Sequence, residues 1–219
     1  MQNLKIYIDI KSYWHAGTGR SQGALVDSLT QKNKLAGING DELSLPYLPG
    51  KTIRGLLRDS VHRLEEWGHL KEFFIKDSEI SVCEALFGAY KNGASRHNSI
   101  SGLLSVSDGK LPTELTQWLS QNPGYSQALY TYIQSTAISP DTGVAKEKSL
   151  RTTEVCMPVK LTSEVQICSI AIHTLQSHLL DENRWVDILK KALPLIRAIG
   201  SHRSRGLGRA FLTAEEVNA

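Results

Sequence analysis

The stretch that decides the fold runs from residue 45 to residue 59 and reads Leu45-Pro46-Tyr47-Leu48-Pro49-Gly50-Lys51-Thr52-Ile53-Arg54-Gly55-Leu56-Leu57-Arg58-Asp59. Its prolines and first glycine predict a stiff turn, and a helical period then runs from about Thr52 to Trp67. At about 100° per residue, the apolar side chains share one side of this helix and the basic ones share the other. The apolar side comprises Ile53, Leu56, Leu57, Val61, Leu64 and Trp67, and the basic side comprises Lys51, Arg54, Arg58 and His62. The pattern predicts a helix that packs on a core and carries a basic stripe.

The basic residues stand at the end of the helix where the macrodipole leaves partial positive charge, so acidic side chains would be the stabilising choice. We therefore interpret Lys51, Arg54 and Arg58 as candidate ligands for an anion. The alternative is an ordinary solvated face. A P-loop ATPase is excluded, because the motif G-x-x-x-x-G-K-[ST] requires a glycine at position 45, which is Leu45.

A second basic segment lies near the C-terminus and reads Gly200-Ser201-His202-Arg203-Ser204-Arg205-Gly206-Leu207-Gly208-Arg209-Ala210-Phe211. Its three glycines permit positive φ angles and a close approach of the backbone to a ligand. Successive N–H groups in such a loop can form an anion-binding concavity. The alternative is a plain Gly/Ser turn, but the basic groups favour a phosphate-rich partner. The candidate ligands here are His202, Arg203, Arg205, Gly206 and Gly208, with Arg209 beside them.

Composition limits the class of protein. The chain has 219 residues, 41% of them hydrophobic and 21% charged, which is typical of a globular protein with a sizeable core. The net charge of +3 is small, so a nucleic-acid surface would have to be local. No apolar run approaches the roughly 20 residues of a membrane span, and the N-terminus lacks the pattern of a secretory signal. Three distant cysteines, Cys83, Cys156 and Cys168, indicate reduced thiols in a cytoplasmic protein rather than disulfides, with a zinc site as the weaker alternative.

The order of predicted elements indicates the fold class. The main segments are a strand at Leu4–Ile10, the helix at 52–67, a helix at Glu79–Phe87, a strand at Leu103–Val106, a long projecting hairpin or loop at Thr136–Pro158, a strand at Glu164–Leu175, a helix at Asp181–Arg197 and a strand at Arg209–Thr213. We expect one or two helical turns at 114–119, no clear period at 25–45, a mobile polar connection between Gly88 and Ser101, and a kink at Pro194. This order predicts an α+β, ferredoxin-like (RRM-like) fold in a single domain, with a projecting β-hairpin and loop insertions.

The proline–glycine turn at Leu48–Gly55 and the glycine loop at Gly200–Gly208 together resemble the RAMP superfamily of CRISPR–Cas systems. Within it, the chain is most similar to the small backbone subunits of type III effector complexes. The resemblance implies an RRM-like palm, stacking of subunits along a CRISPR RNA, and a β-hairpin thumb at about 136–160 that enters between bases. It also implies partners, namely CRISPR RNA, target RNA and other effector subunits, including copies or paralogues of this chain.

The resemblance further implies a catalytic residue. In that family an aspartate after the first strand cleaves target RNA paired to the guide, and Leu25-Val26-Asp27-Ser28-Leu29-Thr30 is similar in position. Asp27 is therefore the candidate catalytic residue and the candidate ligand for Mg²⁺ or Mn²⁺. An exposed carboxylate can hold a divalent ion near a phosphate or orient a 2′-hydroxyl. The alternative is that Asp27 only caps a turn, and residues 31–44 are longer than the usual connection of the family.

Other side chains have two interpretations each. His15 is a candidate general acid or base, as in the related nucleases that process precursor CRISPR RNA, or it packs near RNA. Tyr13 and Trp14 either stack on bases or contribute to the core. In the thumb, Lys146, Lys148 and Arg151 either contact phosphates or are solvated.

Three functions therefore remain open. The first is a guide-RNA-binding subunit of a type III complex that cuts target RNA with Asp27. The second is a scaffold subunit that binds RNA without cutting it. The third is a processing nuclease that uses His15.

Overall fold

The computed structural model describes residues 2–22, 25–36, 40, 42–76, 78–90 and 99–218. Its strands are β1 (Gln2–Ile10), β2 (Lys32–Ala36), β3 (Glu42–Pro46), β4 (Ala89–Tyr90), β5 (Ser99–Ile100), β6 (Leu104–Val106), β7 (Tyr130–Ser135), β8 (Arg151–Cys156), β9 (Lys160–Ile167) and β10 (Ala210–Asn218). Its helices are α1 (Gly50–Glu66), α2 (Val82–Phe87), α3 (Thr113–Gln121), α4 (Thr174–Leu180) and α5 (Arg184–Ala192).

The central element is a four-stranded antiparallel sheet in the order β10-β1-β9-β6. Strand β1 alternates as its sequence predicts, with Leu4, Ile6 and Ile8 fully buried and Lys5 and Tyr7 on the opposite face. The strand order and the helices between β1 and β6 and between β9 and β10 are those of a ferredoxin-like fold. The predicted α+β, ferredoxin-like class is confirmed.

Helix α1 packs against the sheet and α5 through the apolar side that its sequence predicts. Ile53, Leu57 and Val61 are buried in the same core as β1 and α5. Trp67 departs from the pattern, because it follows the last turn and is 56% exposed. The amphipathic period therefore predicts the buried side of α1 correctly, but it does not apply to Trp67, which follows the helix.

A hairpin made of β7 and β8 lies outside the central sheet. The two strands pair from Tyr130 opposite Cys156 to Ser135 opposite Arg151. Residues 136–150 form the tip, where Ile138 bridges Ala145. The hairpin thus spans 130–156. It begins six residues before the predicted segment at Thr136–Pro158 and ends two residues before the end of that segment.

Several predicted boundaries differ from the structure. The strand expected at Glu164–Leu175 begins earlier, at Lys160, and ends at Ile167, because the alternation beyond it belongs to an irregular segment before α4. The helix expected at Asp181–Arg197 is shorter, since Pro194 falls in a 3₁₀ turn that follows Ala192. The polar region 25–45 contains the hairpin β2–β3, which the sequence pattern did not predict.

The connection expected to be mobile includes 91–98, which lie outside the described residues. In the described part of the chain, no helix has both the length and the apolar character needed to cross a membrane.

Candidate functional site

The segment that carries Asp27 lies beside strand β8 of the hairpin. Asp27 N–H donates to the Thr152 carbonyl at 2.9 Å, and Thr152 N–H donates to Asp27 Oδ2 at 2.7 Å. Glu154 N–H donates to the Ser28 carbonyl at 3.0 Å, and Ser28 bridges Thr153 in parallel orientation. These bonds fix the backbone on both sides of an exposed carboxylate.

His15 is buried next to this segment and contacts it and strand β8 through its two ring nitrogens. Its Nδ1 is 2.6 Å from the Glu154 carbonyl oxygen, and its Nε2 is 3.0 Å from Ser28 Oγ. The residue is only 2% exposed, and burial lowers the pKa of His15 below its ordinary value. Both ring nitrogens are therefore engaged inside the protein, in a place where a substrate does not reach them.

Glu154 is a buried carboxylate that ties the hairpin to the segment leading into β2. It is 2% exposed, its Oε2 accepts the Thr30 N–H at 3.2 Å, and its Oε1 accepts from Lys32 Nζ at 2.7 Å. The Lys32 ammonium also lies 4.3 Å from the centre of the Tyr130 ring. The sequence pattern gave no signal for this residue, because its partners are more than 120 positions away.

The glycine loop docks on the chain around His15. Ser201 N–H donates to the His15 carbonyl at 2.8 Å, and Gly208 N–H donates to the Tyr13 carbonyl at 2.7 Å. Gly200 and Gly208 have φ angles of 71°. A Cβ at these two glycines would lie 2.4 Å from the His15 oxygen and 1.9 Å from the Ile199 oxygen, respectively. Glycine is therefore required at these two positions by the close approach of other parts of the chain rather than by a ligand.

One cavity brings together predicted residues from three parts of the sequence. Its volume is about 580 Å³, and its lining comes from the Asp27 segment, from the part of the hairpin strands next to the tip and from the glycine loop. Its lining comprises Asp27, Ser28, Ile133, Ser135, Arg151, Thr153, His202, Arg205 and Leu207. The cavity combines one carboxylate, two guanidinium groups and one imidazole, a set suited to holding a phosphate next to a carboxylate.

Helix α1 presents its basic residues elsewhere. Lys51 is exposed, whereas the Arg54 guanidinium donates to the Phe87 carbonyl and lies 5.7 Å from the centre of the Phe87 ring. Arg58 lines a separate depression with His62 at the edge of α2. Of the three predicted anion ligands on this helix, Arg54 already has a partner within the protein.

The N-terminus of α1 is hydrogen-bonded to a carboxylate from another part of the chain. Gly50 N–H donates to Asp108 Oδ1 at 2.7 Å, so a residue from the loop after β6 supplies the acid that the first turn lacks. A Cβ at Gly50 would lie 2.4 Å from the Val106 carbonyl oxygen, which explains the glycine by packing. The sequence interpretation missed Asp108, and this contact lessens the need for an external anion at the helix start.

The remaining basic candidates lie at the surface. Lys146 and Lys148 are exposed in the hairpin tip, which also exposes the apolar side chains of Ile138, Val144 and Leu150. Arg203 is exposed and borders a depression beside the C-terminal half of α1. None of these three cations lines the cavity that contains Asp27.

The two aromatic candidates separate into different roles. Trp14 is fully buried, and its Nε1 donates to the Met157 carbonyl at 3.0 Å. Tyr13 is 41% exposed and keeps a surface on which a base can stack. Trp14 therefore belongs to the core.

The residues around Asp27 can hold a divalent ion only in a limited way. The described residues contain no group of three His, Cys, Asp or Glu side chains arranged for a metal. Within the same residues, Asp27 Oδ1 accepts no hydrogen bond, while Oδ2 accepts one. Mg²⁺ is commonly bound by one or two carboxylates together with substrate phosphates, so Asp27 fits an ion that arrives with a phosphate.

Comparison of this chain with known proteins gives a family and a fold class that agree with the structure. The sheet, its helices and the inserted hairpin define a ferredoxin-like protein. The chain belongs to the RAMP superfamily, whose sequence model matches residues 7–211. A search of curated protein sequences finds no significant match.

Two solved structures show the same fold. A chain of a structure described as "Type IV-B CRISPR Complex" has a TM-score of 0.60 and 15% identity, covering 97% of this chain and 90% of that one. A chain of "Cryo-EM structure of the Type III-B Cmr-beta bound to cognate target RNA" has a TM-score of 0.65 and 10% identity, covering 97% and 96%. The similarity extends over nearly the whole of each chain.

Proposed function

We propose that this protein is an RNA-binding backbone subunit of a CRISPR effector complex, and that Asp27 cleaves target RNA paired to the guide. The observation that carries the proposal is the cavity that Asp27 lines together with Arg151, His202 and Arg205. Membership of the RAMP superfamily and the folds of the type IV-B and type III-B relatives support it. One of those relatives comes from a complex bound to cognate target RNA. The complex would act in the cytoplasm.

The guide RNA would follow the basic groups around the hairpin. Arg151, the first residue of β8, and Arg205 of the glycine loop line the same cavity, so both would contact a phosphate that enters it. Lys146 and Lys148 at the tip, with Lys51 on α1, would contact the backbone further along the strand. Binding made mainly of phosphate contacts carries no sequence preference and weakens steeply with salt.

Asp27 would act on the paired target strand. Its carboxylate would hold Mg²⁺ or Mn²⁺ against the scissile phosphate, or orient the 2′-hydroxyl for attack. When bound, such an ion neutralises charge on the phosphate. Because Asp27 is held by the Thr152 N–H while Oδ1 accepts no bond from the described residues, the carboxylate is both positioned and available.

The two other functions are less well supported. A processing nuclease based on His15 needs an accessible imidazole, whereas this ring is 2% exposed and bonded through both nitrogens. A scaffold that binds RNA without cleaving it needs only the basic groups. In a scaffold, the Asp27 carboxylate would serve only to accept the Thr152 N–H through Oδ2, and its Oδ1, which accepts no bond from the described residues, would have no use. Cleavage by Asp27 is therefore the preferred proposal.

The test is cleavage of a guide-complementary RNA by the assembled complex with Mg²⁺ or Mn²⁺, for wild type and Asp27→Ala. Size-exclusion chromatography confirms assembly of both. We expect cuts at regular intervals that disappear in the variant. Equal cleavage by both forms would place the active site elsewhere in the complex, and no cleavage by either well-assembled form would favour the scaffold.

A further inference from the structure

The cavity contains an imidazole as well as the Asp27 carboxylate, and both are side chains that serve as acids or bases in catalysis. Apart from Asp27, its polar lining consists of hydroxyls, two arginines and His202. Arginine stays protonated in proteins, and serine and threonine hydroxyls are poor acids, so neither donates a proton readily. Imidazole is the side chain whose charge changes in the physiological range. His202 is therefore the proton donor that the lining offers.

The backbone holds His202 in an unusual conformation at this cavity. Its φ is 57°, in the left-handed region that residues other than glycine rarely occupy. The preceding Ser201 is anchored to the His15 carbonyl, and the His202 carbonyl accepts the Arg205 N–H at 2.9 Å. Glycine, which the same loop uses nearby, would adopt this conformation more easily.

His202 lines the same cavity as Asp27 and lies near the residue that contacts the Asp27 segment. The His202 ring centre is 6.5 Å from that of His15, which is itself bonded to Ser28, the neighbour of Asp27. Unlike His15, His202 is exposed. A ribose and its 3′-phosphate placed in the cavity would be enclosed by a lining that contains both the carboxylate and the imidazole.

We propose that His202 is a catalytic residue, the general acid that protonates the leaving 5′-oxygen during RNA cleavage. This inference rests on the function proposed above. The 2′-hydroxyl gives its proton to the Asp27 carboxylate, and the 2′-oxygen forms a bond to phosphorus. The bond from phosphorus to the 5′-oxygen breaks, and protonated His202 transfers its proton to that oxygen. The products are a 2′,3′-cyclic phosphate and a 5′-hydroxyl.

A sulfur leaving group separates this role from simple phosphate binding. The assembled complex is given guide-complementary RNA with oxygen or sulfur at the bridging 5′ position of the mapped cleavage site. A thiolate leaves without being protonated, so a substrate with sulfur has no need of a general acid. The variants are His202→Asn, which tolerates the left-handed conformation, and His202→Gly, which removes the side chain and can be supplied with free imidazole.

We expect both variants to cleave the oxygen substrate about 10²–10⁴-fold more slowly, the usual contribution of a general acid. Both should cleave the sulfur substrate at close to the wild-type rate. Added imidazole should restore part of the activity of His202→Gly on the oxygen substrate. Asp27→Ala, as the contrasting variant, should lose activity on both substrates.

Two outcomes would overturn the inference while leaving the proposed function intact. The variants would either cleave the oxygen substrate as fast as wild type, or lose the same factor on both substrates, as a phosphate ligand would. A wild-type complex that binds RNA and cleaves neither substrate would refute the proposed cleavage, and this inference with it. Guide-RNA content and size-exclusion profiles of each variant confirm that the complexes compared are assembled.

Discussion

Asp27 and Thr152 exchange two hydrogen bonds across 125 positions of sequence. Thr152 N–H donates to Asp27 Oδ2 at 2.7 Å, and Asp27 N–H donates to the Thr152 carbonyl at 2.9 Å. The carboxylate is thereby fixed to the second residue of strand β8, next to the tip of the hairpin. A movement of the hairpin would carry the candidate catalytic group with it.

The first prediction separates the charge of Asp27 from its hydrogen bond. Asp27→Asn keeps an oxygen that can accept the Thr152 N–H, whereas Asp27→Ala removes it. We expect both variants to lose metal-dependent cleavage, because both lack the carboxylate. Only Asp27→Ala should lower the free energy of unfolding, by about 1 kcal/mol, the net value of one hydrogen bond.

The measurements are single-turnover cleavage by the assembled complex and denaturant unfolding of the isolated chain. Cleavage by Asp27→Asn at the wild-type rate would show that the charge is not used. The unfolding comparison then reports whether the bond to Thr152 matters for the fold.

Local patterns allowed part of this fold and site to be predicted. The alternation in β1, the amphipathic period of α1 and the glycines of the C-terminal loop depend on neighbours in sequence. The choice of Asp27 came from a resemblance and stays a prediction, and the structure shows that Asp27 lines a cavity together with Arg151, His202 and Arg205.

The contacts that assemble the site were beyond local patterns. Glu154 looks like an ordinary polar residue in a strand, yet it is buried because Thr30 and Lys32 reach it from another part of the chain. The sequence around Asp108 likewise does not predict that its carboxylate accepts a hydrogen bond from the first residue of α1. Such partners follow from the tertiary arrangement, which neither period nor composition specifies.

The second prediction concerns the buried ion pair between Lys32 and Glu154. The Glu154 side chain is 3% exposed and that of Lys32 is 30% exposed. Lys32→Met would leave the buried carboxylate without its cation, and we expect a loss of about 3 kcal/mol in the free energy of unfolding, the lower end for a broken buried pair.

Lys34→Met is the matched control on the same strand. Lys34 pairs with Glu42 at 2.6 Å, but their side chains are 69% and 62% exposed, so the loss should stay below about 1 kcal/mol. Urea unfolding of both variants measures the difference. Equal losses would mean that burial does not strengthen the Lys32 pair.

The third prediction compares two glycines of the same loop. Gly206 and Gly208 both have positive φ, at 87° and 71°. A Cβ at Gly206 would meet no atom within 4 Å, whereas a Cβ at Gly208 would lie 1.9 Å from the Ile199 carbonyl oxygen. Gly206→Ala should therefore lose about 1 kcal/mol from its conformation alone. Gly208→Ala should lose roughly 3 kcal/mol or more, because the backbone must also shift.

Thermal unfolding of the two variants tests this, with hydrogen exchange to locate the change. Exchange in Gly208→Ala should accelerate at Ser201 and at position 208, whose N–H groups bond to the chain around His15 in the wild-type protein. If the two alanine variants unfold at the same temperature, the close approach at Gly208 is not a constraint on the fold.

The fourth prediction is a loss of stability in mild acid caused by His15. Burial is the main cause that lowers the pKa of His15 in the folded protein, with the nearby His202 acting in the same direction and Glu154 opposing it. An unfolded chain binds a proton at this residue as pH falls through about 6.5, while the folded protein resists it. Its contribution to stability is therefore complete above that pH and is lost as pH falls toward the lower pKa of the folded state.

His15→Asn tests this, because its amide can still donate to the Glu154 carbonyl but carries no charge in this range. We expect the free energy of unfolding of wild type to fall more steeply between pH 7 and pH 5 than that of the variant. The difference in slope should not exceed about 1.4 kcal/mol per pH unit, the limit for one proton. His69→Asn, a change at an exposed imidazole, is the control and should keep the wild-type slope. If His15→Asn keeps that slope as well, the acid sensitivity arises from a group other than His15.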